Sequence, residues 1–170
     1  MSLVKRVLTL ALVVVIVVVV FAGGWLVGRL GIGSAVNPAS LSDVERQFTE
    51  RMRDVKLVGS FTMAGRDERT PRSEGYDIHS VEKVGDNLWR FNAGMNCCGV
   101  NGTIPVVVPM RFNGDTPMIM MTDTSLPGLG TYTVRLFFYG DRYAGTWQHG
   151  AFGGLMSGRI EKRTAGEPKP

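Results

Sequence analysis

Two histidines and two adjacent cysteines are the residues of this chain best suited to chemistry: His79, His149, Cys97 and Cys98. Neutral imidazole and thiolate are good zinc ligands. An eight-strand reading of residues 56–163 puts all four towards one end of a β-domain, with Cys97 and Cys98 in a long loop and His149 just before another. Their spacing matches no known ligand pattern, and neighbouring cysteines seldom both reach one ion. A hydrogen-bonded rim histidine beside an oxidised or idle thiol pair is the plainer account, so neither a metal nor a cofactor is expected. In an oxidising compartment the pair has three fates: a strained vicinal disulfide, bridges between molecules, or free thiols. Asp77 and Asp123 are candidate acids only as carboxylates, and surface charge explains them equally well. Gly-x-Ser-x-Gly, His-Glu-x-x-His and phosphate-loop patterns are absent.

Apolar binding is the other chemistry on offer. Tyr132, His149, His79, Leu126, Leu129 and Phe152 are expected at or near one rim and form the candidate ligand-binding set. Met110, Met118, Met120 and Met121 crowd the middle strands, which suits either an adaptable cavity or ordinary core filling.

All of these residues lie beyond a long hydrophobic run. Arg6 and Arg29 enclose 22 uncharged residues, including Val13 to Val20. At about 1.5 Å per residue such a helix reaches roughly 33 Å, enough to cross a bilayer core. Lys5 and Arg6 precede the run, so the charge bias holds the amino terminus in the cytoplasm and sends the rest outside. Residues 1–30 are therefore read as a transmembrane anchor of the inner, cytoplasmic membrane, with a periplasmic carboxyl-terminal domain. Cleavage as a signal peptide, at Ala22-Gly23-Gly24 or Gly33-Ser34-Ala35, would make the protein secreted instead. Of the 19 basic residues, Lys5, Arg6 and Arg29 flank this run, leaving 16 against 15 acidic ones. The outer domain is thus near neutral and carries no electrostatic footprint for nucleic acid.

Residues 31–41 read as a linker. Residues 42–55 read as an amphipathic helix, opened by the capping-box sequence Ser42-Asp43-Val44-Glu45 and striped by Val44, Phe48, Met52 and Val55. From 56 to 163 the period changes to two. Eight strands are expected: Lys56–Ala64, Gly75–Val84, Leu88–Met95, Thr103–Phe112, Thr116–Thr122, Thr131–Tyr139, Arg142–His149 and Leu155–Arg163. Residues 164–170 read as a disordered tail.

Tight turns at Gly85-Asp86-Asn87, Asn113-Gly114 and Gly140-Asp141 alternate with longer connections at 65–74, 96–102, 123–130 and 150–154. That order suits an antiparallel meander closed into a small lipocalin-like barrel, with a two-sheet sandwich as the alternative. It also puts both chain ends at the tight-turn end and the long-loop rim away from the membrane. The turns pair Phe138 with Tyr143, Val134 with Trp147 and Val81 with Phe91. The expected core is Trp89, Phe91, Val108, Ile119, Val134, Leu136, Phe138 and Trp147.

The stretch Tyr143-Ala144-Gly145-Thr146-Trp147-Gln148-His149-Gly150, followed by Gly153-Gly154 and Gly158-Arg159-Ile160, resembles a group of uncharacterised bacterial proteins with a membrane segment and a β-rich outer domain. Leu57 to Thr62 and Pro127 to Gly130 fit the same pattern, and the likeness covers roughly residues 50 to 163. It implies an anchor and a β-domain but no activity. Gly145-Thr146-Trp147 is also similar to the Gly-x-Trp of lipocalins, although there the motif opens the barrel and here it falls on the seventh strand. The expected function is a membrane-tethered domain that binds an apolar small molecule or an envelope protein without catalysis. A structural subunit of an envelope complex and an enzyme using the His/Cys rim are the alternatives.

Overall fold

The computed structural model describes residues 12–21, 34–65, 69–97, 100–126 and 130–163; side chains from 95 to 101 lie outside that description. The chain divides into two units at Ser34/Ala35. In the first, residues 12–21 are helical. Among the described residues no helix is long and apolar enough to cross a membrane; the remainder of the expected span, 7–11 and 22–27, lies outside them.

The second unit is an eight-stranded antiparallel barrel, closed in sequence order, and not a sandwich. Its strands are β1 (Val55–Phe61), β2 (Arg72–Lys83), β3 (Leu88–Cys97), β4 (Val100–Asn113), β5 (Thr116–Leu126), β6 (Gly130–Tyr139), β7 (Arg142–His149) and β8 (Phe152–Lys162). β1 pairs with both β2 and β8, so the sheet has no free edge. All eight expected strands form, and the pairs Phe138–Tyr143, Val134–Trp147 and Val81–Phe91 are in the expected register.

The expected alternation of short and long connections does not occur. Cys97 pairs with Val100, Leu126 with Gly130 and His149 with Phe152, so three of the four long loops shrink to two or three residues. Only residues 62–71 remain a long connection. The polar residues Asp123 to Ser125 read as loop but belong to β5. A bulge between Met121 and Thr124 absorbs them. Asp123 takes a left-handed φ of 45° there, and the Thr133 hydroxyl receives its N–H at 3.0 Å. The turn expected at Asn113-Gly114 forms one residue later, at Gly114-Asp115, pairing Asn113 with Thr116. This moves the register by two and leaves the inward face unchanged, so Met110 and Ile119 remain inside.

Before β1, a short 3-10 turn (Pro38–Ser40) leads to the plug helix, Asp43–Arg51. The Ser42–Glu45 capping box forms as expected. Phe48, Met52 and Val55 are buried, and Phe48 packs its ring against Trp89, Phe112 and Phe138 with centroids 5.5–6.2 Å apart. Burying such a ring is worth about 2–3 kcal/mol. Glu45 pairs with Lys83 at 2.6 Å. The Lys162 ammonium donates to the carbonyls of Arg53 and Arg51 at 3.0 and 3.2 Å, satisfying acceptors that the helix end leaves open. The plug helix thus closes the end of the barrel where β1 begins and β8 finishes.

Candidate functional site

At the end opposite the plug, the core gives way to a cavity of about 280 Å³. Two expected core residues, Val134 and Trp147, are only half-buried because they line it. Leu136 forms its floor and Met156 contributes from β8. Phe61, Tyr76, Tyr132 and Trp147 supply four aromatic rings from β1, β2, β6 and β7. Phe61 meets Trp147 edge to face at 5.7 Å, and the indole N–H donates to the Thr62 carbonyl at 3.3 Å. The rings are therefore held, not merely near one another.

One carboxylate enters this apolar wall. Glu74 Oε1 accepts the Tyr143 hydroxyl at 2.9 Å, and Oε2 accepts the Tyr76 hydroxyl at 3.1 Å. Burial, and next the hydrogen bond and charge of Glu74, raise the Tyr143 phenol above its ordinary value. Burial, then Glu74, pushes Tyr76 up to about 12. Both phenols are neutral donors at physiological pH.

Tyr143 reaches the carboxylate over a gap between strands. A Cβ on Gly59 would stand 2.4 Å from its hydroxyl, and one on Gly158 2.6 Å. These two facing glycines let the phenol cross β1 and β8 where any side chain would collide.

The expected binding residues meet in part. Tyr132 lines the cavity and stacks on His149, centroids 4.6 Å apart and planes at 23°. His149 Nδ1 lies 2.9 Å from the Thr131 carbonyl, which only accepts, so Nδ1 donates the proton of that hydrogen bond. Leu126 packs against the core edge, and Phe152, paired with His149, is exposed. His79 does not join them. It sits in the β2 bulge between Ile78 and Ser80, and its carbonyl accepts Asp54 N–H beside the plug helix. Its place in the later half of β2, next to Ile78 which pairs with the start of β1, sets it at the closed end, away from His149. Leu129 and Cys98 lie outside the described residues, and Cys97 is placed only as the last residue of β3. Among the described residues no three His, Cys, Asp or Glu side chains gather as a metal site.

The methionines divide. Met110 and Met121 are buried core, Met120 points outward, and Met156 alone of the described ones lines the cavity. Phe61, Glu74, Tyr76 and Met156 are the members that the sequence did not single out. Continuing the alternation Ile78, Tyr76 one step upstream would have put Glu74 on the inner face.

No protein-family model matches this sequence, and no curated protein or solved structure is significantly similar to it.

Proposed function

We propose that this chain is a membrane-tethered, extracytoplasmic β-barrel that binds a small, largely apolar ligand in the mouth opposite its plug helix. One observation carries the reading: Phe48, Met52, Trp89 and Met110 are fully buried at the plug end, whereas the other end opens into a space walled by four aromatic rings and aliphatic side chains. Apolar concavities with a few placed polar groups are where small ligands bind. At about 280 Å³ this one falls just below the range of roughly 300–1,000 Å³ for drug-sized ligands, which suits a smaller one. A filled core would serve a purely structural domain better, since empty volume forfeits packing energy. The tether rests on the apolar run and on Lys5 and Arg6.

The test fills the space. Val134→Trp should abolish binding of an environment-sensitive apolar dye while far-ultraviolet circular dichroism stays unchanged. Dye binding retained at full affinity would reject the cavity as the site. A second reading, a subunit of an envelope complex, is favoured by the outer face of β4 to β6. There Val107, Met120 and Phe137 are each 42% exposed and Tyr139 66%. Met120→Asp together with Phe137→Asp should then release the barrel from its partner without affecting dye binding.

A further inference from the structure

The cavity holds more than apolar surface: among the described residues, the one charged side chain that lines it is acidic. Glu74 contributes a carboxylate to a wall otherwise built from rings and aliphatic groups. Among the described residues no lysine or arginine lines the cavity. The two hydroxyls that Glu74 accepts occupy about half of the roughly four acceptor positions of a carboxylate. The carboxylate therefore has acceptor capacity beyond the two phenols, suited to a further donor or a cation.

The rings have the same preference. The face of an aromatic ring is the negative part of its quadrupole, and Tyr and Trp attract cations most strongly. Tyr76, Tyr132, Trp147 and Phe61 surround one small volume, and a carboxylate lies at its wall. This is the chemistry that holds organic ammonium groups in aromatic cages. An apolar carboxylic acid would meet the opposite field, with Glu74 repelling its head group in a poorly solvated site.

We infer that the ligand is a small hydrophobic organic cation, an alkyl- or arylammonium, whose charged nitrogen sits beside Glu74 among the aromatic rings. The inference rests on the proposed ligand-binding function and narrows it to one charge class. The structure supplies each part of the recognition: Glu74 gives the countercharge, Tyr76 and Tyr143 fix its orientation, and Tyr132 and Trp147 cover the apolar body.

Three isosteric probes separate charge from shape: 3-phenylpropylammonium, 3-phenylpropanol and 3-phenylpropanoate. Each is titrated calorimetrically into the full-length protein in a neutral detergent, with detergent alone as the blank. The ammonium should bind about tenfold or more tighter than the alcohol, and the carboxylate weakest of the three. In Glu74→Gln, which keeps an acceptor for the tyrosines, the ammonium should lose more affinity than the alcohol, so that the gap between the two narrows. The wild-type series alone decides the inference if that variant fails to fold. Equal binding of ammonium and alcohol, or preference for the carboxylate, would overturn the cation assignment and leave an apolar binding site standing. Binding of none of the three would overturn both.

Discussion

The hydroxyls of Tyr76 and Tyr143 both donate to Glu74, so neither can lose its proton without setting a second negative charge beside the carboxylate. Burial adds to that cost in both. A phenol whose native pKa lies above its unfolded value of 10.0 keeps a proton that the unfolded chain has already released. Its contribution to stability is complete below pH 10 and is lost as pH rises through about 12. Ultraviolet titration should therefore show two of the four tyrosines ionising late. In Glu74→Gln the Tyr76 transition should move back towards the ordinary value, because the charge is gone while burial remains. An unmoved transition would mean that burial alone sets it.

At the scale of the strands, glycine decides how closely the barrel can coil. A Cβ on Gly145 would stand 1.8 Å from the Arg135 carbonyl oxygen on β6, too close for anything but a shift of backbone. Gly150, in the turn between β7 and β8, has a φ of +57° with open space around it. Gly150→Ala should cost only about 1–2 kcal/mol, the strain of a left-handed residue. Gly145→Ala should cost clearly more in a denaturant melt; equal losses would show that β7 can move away from β6. The plug makes a second contrast. Phe48→Ala should cost about 3–5 kcal/mol, since its ring is 2% exposed among three others. Trp147→Ala should cost less although it removes a larger side chain, because one side of the indole already faces empty space. The sequence carried the start of the plug helix plainly, at Ser42 and Glu45, and its buried residues Phe48 and Met52, but not its end: the helix expected to reach Val55 stops at Arg51, and Val55 opens β1. It carried strand phase as well, because Val134, Leu136 and Phe138 can face only one way. Strand length was another matter. Asp123 to Ser125 look like loop residues, and only tertiary pairing with β6 through a bulge makes them strand. Gly75 looked like a strand start for the same reason, and that misplaced boundary hid Glu74 in a loop.

For the molecule as a whole, the proposed tether and the barrel are separate claims, and a topology experiment bears on the first independently of the second. Lys5 and Arg6 predict that a reporter fused after Pro170 is active only outside the cytoplasm. Activity inside would reverse the orientation and remove the oxidising setting expected for Cys97 and Cys98. The candidate site was half legible. Tyr132 and His149 follow from the register of one tight hairpin. His79 was misplaced because β2 begins at Arg72 and not at Gly75, which sets it in the later half of the strand, towards the plug. The pairing of β1 with β8, from Val55 opposite Lys162 to Phe61 opposite Met156, has a further consequence, one of timing. The first strand made has its final neighbour on one side only when the last strand arrives, about a hundred residues later. During synthesis the growing sheet therefore carries two unpaired edges, each able to join another chain. The plug helix emerges before any strand, but Lys162, which ties it to the finished barrel, emerges after them all. Folding of this chain should accordingly finish in a single late step, over the milliseconds to seconds usual for non-local β topologies. Chains halted before Phe152 should aggregate where completed ones do not.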